Sequence, residues 1–186
     1  MNKVNFIFLQ NYFFKMKCIN FEKICDIVES YTSKDIDNQN FKWGKNCLID
    51  RITIHDDNIA DCIYSNIQSF VEEMEVKVNV KLERPWINLY QKGYFQEIHD
   101  HAESDFSATI FINSGHDFSK FYFYDRFHYN NTKIMKKEFT LDDVFYPELE
   151  QGDIIIFPAH MLHGVSPHKN DTIRKTISFN FNIIDK

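Results

Sequence analysis

From Thr176 to Ile183 the chain alternates cleanly: Thr176, Ser178, Asn180 and Asn182 fall on one side with Arg174 before them, and Ile177, Phe179, Phe181 and Ile183 on the other. A period of two is the signature of a β-strand, so one face of this segment packs into a core. The other face is unusually polar for a strand and must look into a cavity or onto water. Shorter β-rich runs precede it at 76–82, 86–90, 95–101, 106–112, 121–124, 144–146, 154–157 and 164–166, with the last strand at 175–183 and turn-prone residues between most of them. Upstream the period changes. Phe21, Ile24, Cys25, Val28 and Tyr31 recur at helical spacing, which predicts a helix over 20–33, and Ile59, Cys62, Ile63, Ile67, Phe70 and Val71 predict a second over 57–74. Two helices followed by eight or nine short strands describe a mainly β (α+β) chain, a double-sheet jelly roll with N-terminal helices covering one outer face.

With 186 residues, 44% of them hydrophobic and 19 of them Phe, the chain suits one domain with a substantial core. The expected division is an N-terminal strand and helices over 1–75, packed on a jelly-roll core over 76–186. Acidic residues outnumber basic ones by 27 to 21, and no basic cluster exceeds a pair, so a nucleic-acid footprint is absent. The four cysteines, Cys18, Cys25, Cys47 and Cys62, form no CxxC pair, which suits a reduced, cytoplasmic protein. The apolar run 4–9 is short and lacks a small-residue cleavage site, so it is expected to be a strand or docking segment rather than a signal peptide. No stretch approaches the roughly 20 apolar residues of a membrane span. The segment 126–140 is the expected flexible loop.

Chemistry concentrates in a few positions. His99 and His101 are two apart, so on a strand they face the same way and can grip one metal ion. His163 follows at the start of an expected strand and supplies a third imidazole. His160 competes for that role but falls in the turn after Pro158, while His55, His116, His128 and His168 lie in polar surroundings and are expected at the surface. Three protein ligands leave positions open for substrate or oxygen, which means catalysis or ligand binding rather than a structural metal. Arg174 adds a guanidinium that binds a carboxylate in bidentate fashion, and a buried arginine without a partner is costly. Arg174 with Thr176 therefore implies an acidic ligand. Tyr122, Tyr124 and Arg126 are candidates for a substrate mouth, or for ordinary packing.

The pattern Tyr90-x-x-Gly93-x-x-Gln96-x-x-His99-x-His101 resembles the prolyl-hydroxylase motif of the 2-oxoglutarate and Fe(II)-dependent dioxygenases, with Gln96 at the second tyrosine and His101 at the aspartate ligand. It is also similar to a bacterial and phage subgroup with His-x-His before a serine-containing strand, here Ser104 to Phe111, and the likeness extends through Asp125-Arg126, Gly152 to Pro158, His163 to Val165 and Arg174 to Asn180. The resemblance covers about 85–183. It implies a double-stranded β-helix barrel, Fe(II) held by His99, His101 and His163, and 2-oxoglutarate held by Arg174, with Thr176 and Tyr90 assisting. Asp100 would replace His101 as ligand only if a bulge or strand end turned it inward. The implied reaction couples oxidation of 2-oxoglutarate to succinate and CO2 with hydroxylation of a small-molecule or peptidyl substrate, a prolyl side chain among them. Two other functions suit the same residues: a cupin-like three-histidine enzyme that uses no 2-oxoglutarate, and a barrel that binds a small acid or sugar without turnover. Exposed edge strands of a short jelly roll leave room for a homodimer.

Overall fold

The computed structural model describes residues 12–37, 47–124 and 143–184. In chain order the elements are β1 (Phe14–Lys17), α1 (Phe21–Ser30), β2 (Asp50–Thr53), α2 (Asp57–Glu73), β3 (Asn79–Leu82), β4 (Trp86–Tyr90), β5 (Gln96–His99), β6 (Phe106–Phe111), β7 (Phe121–Tyr124), β8 (Val144–Phe145), β9 (Asp153–Pro158), β10 (His163–Val165) and β11 (Arg174–Ile184), with a 3-10 turn at Ser33–Asp35. The expected segments 4–9 and 126–140 lie outside the described residues, as do Arg126 and His128.

β11 is the spine of the larger sheet. It pairs with β6 along one edge and with β4 and β3 along the other, giving the order β1-β9-β6-β11-β4-β2 with β3 joined to β11. A second sheet runs β5-β10-β7-β8, and every pairing in both sheets is antiparallel. The alternation of β11 divides two environments. Ile177, Phe179 and Phe181 pack outward with Ile154 and Ile156 against Ile24 and Val28 of α1 and Ile59, Ile63 and Ile67 of α2. Inward, Ile155 and Phe157 of β9 meet Tyr90, Phe111, Phe121, Phe123 and Val165 between the sheets. The architecture is the expected double-stranded β-helix with covering helices.

The helices form where an apolar stripe and a cap coincide. Asp56 caps α2 by accepting the Asn58 N–H at 2.7 Å, and the buried stripe runs Ile59, Cys62, Ile63, Asn66, Ile67, Phe70. Asn66 is a polar member of that stripe, satisfied by Ile19: its Oδ1 accepts the Ile19 N–H at 2.7 Å, and its Nδ2 donates to the Ile19 and Cys62 carbonyls. α1 ends at Ser30, three residues short of the expected 33, because Thr32 and Asp35 cap a separate 3-10 turn.

β1 and β2 escape the sequence patterns. Each is an edge strand of the large sheet, specified by its partner: β1 lies along β9, and β2 along β4. Phe14 and Met16 face the helix-side core while Lys15 and Lys17 reach Asp153, at 3.3 and 2.7 Å. His168 corrects the expectation of a surface histidine, since it is buried at 1% exposure. Its Nδ1 accepts the Ser119 N–H at 3.0 Å and its Nε2 donates to the Thr172 carbonyl at 2.8 Å, so the ring is a cross-brace between loops. Its backbone carbonyl accepts the N–H of Gly93, whose φ of +86° is the left-handed turn conformation that favours glycine.

Candidate active site

His99 closes β5 and His163 opens β10, and the antiparallel register sets them directly opposite each other with ring centroids 4.3 Å apart. β5 ends at His99, so His101 lies beyond the strand rather than two places along it. Its N–H donates to the Ala159 carbonyl at 2.8 Å, which turns the ring back to 5.1 Å from His99 and 5.2 Å from His163. One nitrogen from each of the three rings lies within 4.8 Å of the others. Asp100 is exposed and outside the cluster, and His160 is an exposed turn residue.

Hydrogen bonds aim two of the rings. His99 Nδ1 donates to the Glu97 carbonyl at 2.8 Å and His163 Nδ1 to the Met161 carbonyl at 2.9 Å, which places the lone pair of each ring on Nε2. Burial, then the neighbouring rings, pushes His163 well below the ordinary imidazole range, and the same causes bring His101 down to about 4. Burial also lowers His99. All three are neutral at pH 7, the form that ligates a metal.

Arg174 opens β11 and is 4% exposed. Its guanidinium stacks on the Tyr90 ring at 4.8 Å and the Phe111 ring at 5.5 Å, and no salt bridge reaches it among the described residues. Nη1 is buried without a hydrogen-bond partner. Burial depresses the guanidinium and the Tyr90 hydroxyl partly offsets this, while burial pushes the Tyr90 phenol up to about 12. Thr176 accepts from Asn88 Nδ2 at 3.2 Å, and Ser178 accepts from the same amide at 2.9 Å. All six sequence-predicted residues, His99, His101, His163, Arg174, Thr176 and Tyr90, line one cavity between the sheets. Tyr122 and Tyr124 are not among its lining residues: Tyr122 packs at a tilt against Tyr146, with ring centroids 5.7 Å apart.

The residues suit a divalent cation with a bound acid. Three neutral imidazoles converge at one end, and at Arg174 a buried cation with an unpartnered N–H awaits a carboxylate. The cavity also holds Gln96, which sequence reasoning noted only as a departure from the motif. Gln96 is three residues before His99, and on a regular strand the two would face opposite ways. The pairing of β5 with β10 shifts register between His99↔His163 and Gln96↔Val165, a bulge that turns both side chains inward. No local pattern reports such a bulge. Outside the cavity, His99 and His101 border an open groove with Glu83, Glu97, Asp100 and Glu103.

Comparison with known proteins gives the same class. Residues 84–180 match the family described as "Putative 2OG-Fe(II) oxygenase", more than half of the chain. The chain belongs to this family of 2OG-Fe(II) oxygenases, which makes it a 2-oxoglutarate-dependent non-haem iron oxygenase with Fe(II) and 2-oxoglutarate as its cofactors. A search of curated proteins finds no match. Among solved structures, a 2OG-Fe(II) oxygenase family oxidoreductase from Burkholderia pseudomallei aligns with TM-score 0.66 at 11% identity, over 91% of this chain and 84% of that one. A Pseudomonas putida prolyl-4-hydroxylase aligns with TM-score 0.64 at 13% identity, over 92% of each chain. HygX from Streptomyces hygroscopicus, solved with nickel and 2-oxoglutarate bound, aligns with TM-score 0.60 at 10% identity, over 92% of this chain and 83% of that one. At these identities the likeness is one of fold. Among the described residues, no helix is long and apolar enough to cross a membrane.

Proposed function

We propose that the protein hydroxylates a small-molecule or peptidyl substrate, with His99, His101 and His163 holding Fe(II) and Arg174 holding the far carboxylate of 2-oxoglutarate. The observation that carries this reading is the buried Arg174, unpaired with any carboxylate among the described residues, in the same cavity as the three imidazoles. The bound iron and cosubstrate supply the oxidising chemistry, which converts 2-oxoglutarate to succinate and CO2. The chain contributes position and charge. The Glu97 and Met161 carbonyls orient the His99 and His163 rings, and the Tyr90 and Phe111 rings pack against the guanidinium. Thr176 offers a hydroxyl on the same strand face as Arg174. The surrounding aromatics Phe121 and Phe157 exclude water from His163. Three neutral ligands, with no carboxylate among them, leave the full charge of the cation for anionic groups of cosubstrate to balance. In this reading the substrate approaches through the open groove that His99 and His101 border with Glu83, Glu97, Asp100 and Glu103.

An arginine facing the metal cavity favours this reading over a cupin-like enzyme without 2-oxoglutarate, which has no use for a second carboxylate site. Addition of Fe(II) and 2-oxoglutarate without air tests it. A visible metal-to-ligand charge-transfer band is expected in the wild type, with Arg174→Ala losing it at cosubstrate levels that saturate the wild type and His163→Ala losing it together with metal. Bound iron without a band at any 2-oxoglutarate concentration would overturn the proposal.

A further inference from the structure

Three observations converge on Gln96. The bulge in β5 turns it into the cavity with His99, where a regular strand would send it to the opposite face. Its carboxamide is held by Tyr90, whose hydroxyl donates to Gln96 Oε1 at 2.6 Å. In that bond the phenol is the donor and the amide oxygen the acceptor. An amide whose oxygen is so occupied presents its Nε2 to the remaining space. Among the described residues that Nε2 has no hydrogen-bond partner, and the space it borders is lined by the three histidines and Arg174.

We infer that Gln96 is a further binding residue for the acid cosubstrate, its Nε2–H donating to a carboxylate oxygen of 2-oxoglutarate, with Tyr90 acting as a positioning residue through it. This rests on the function proposed above and assigns Tyr90 a different part in it. The Tyr90 hydroxyl, donating to Gln96 Oε1, orients the amide rather than meeting the cosubstrate. The same arrangement accounts for a glutamine at a place where the resembling motif has a tyrosine. A phenol there would accept and donate through a single oxygen, whereas a carboxamide accepts from Tyr90 on Oε1 and donates from a separate atom, Nε2.

The test uses the full chain without air, with three readouts: 2-oxoglutarate affinity from titration of the charge-transfer band, Mn(II) affinity by electron paramagnetic resonance, and thermal unfolding. Gln96→Leu is expected to weaken 2-oxoglutarate by about ten- to a hundredfold, the range for a hydrogen bond to a charged group, with Mn(II) affinity and unfolding unchanged. Gln96→Glu, which still accepts from Tyr90 but faces the carboxylate with a negative charge, is expected to lose more. Tyr90→Phe is expected to weaken 2-oxoglutarate in the wild-type background and to add nothing in Gln96→Leu. Wild-type affinity in Gln96→Leu, a parallel loss of Mn(II) affinity, or additive effects of the two changes would each overturn the inference. A wild type that gives no band at all removes the underlying function with it, whereas a normal wild-type band beside an unaffected Gln96→Leu removes this inference alone.

Discussion

At Arg174 stability and function are set against each other. A fully buried guanidinium with an unpartnered Nη1 costs free energy in the protein without cosubstrate, and aromatic stacking on Tyr90 and Phe111 recovers part of it. Arg174→Met keeps length and apolar contact but removes the charge. The variant is expected to be more stable than wild type without ligand, by about 1–3 kcal/mol in urea unfolding, and to gain no stability from 2-oxoglutarate. Lower stability in the ligand-free variant would mean that the arginine is already satisfied. At this scale the sequence is informative. The spacing of His99 and His101, the position of His163 and the polar face beginning at Arg174 and Thr176 are visible as residue types and intervals. Gln96 and His168 are not. One is exposed to the cavity only through a bulge, and the other is buried only because Ser119 and Thr172 close around it.

Among elements, the attachment of β1 to β9 depends on charge as well as backbone pairing. Asp153 has no side-chain exposure and takes Lys17 at 2.7 Å, Lys15 at 3.3 Å and the Glu150 N–H at 2.9 Å. Burial alone would raise the Asp153 carboxyl, but the Lys17, Glu150 and Lys15 interactions outweigh it, and the net shift is downward. A depressed carboxyl contributes stability that is present above its unfolded value of about 3.9 and is lost as pH falls through the lower folded value. Asp153→Asn is therefore expected to unfold at lower urea than wild type at pH 7, with the gap unchanged down to about pH 4 and closing below it. A gap independent of pH would assign the loss to packing instead. The longer helix was legible because Ile59, Ile63, Ile67 and Phe70 repeat over many turns, and β11 because its alternation is long. β1 and β2, at the two edges of the large sheet, have boundaries set where a neighbouring strand offers hydrogen bonds.

Across the whole molecule, the outer face of the large sheet and the inner cavity share one strand. Ile177 and Phe179 of β11 meet the helices while Arg174, Thr176 and Ser178 line the cavity, so the helical cover holds the frame on which the site is built. We propose that the chain unfolds as one unit. Deletion of residues 1–75 would strip Ile154, Ile156, Ile177 and Phe179 of their cover, and the remainder is expected to be insoluble or to lose Mn(II) binding. A soluble, metal-binding 76–186 fragment would separate cover from core. The sequence by itself determined the period of each long segment, hence which side chains share a face, and it determined the imidazoles and the guanidinium available for chemistry, because these are local properties of residue and interval. Tertiary structure alone decided that β10 lies against β5, so that His163 faces His99, that Ala159 turns His101 back from beyond the strand end, and that a bulge delivers Gln96 to the same cavity. Each of these depends on hydrogen bonds between segments far apart in the chain, and no interval within either segment encodes which partner it will meet.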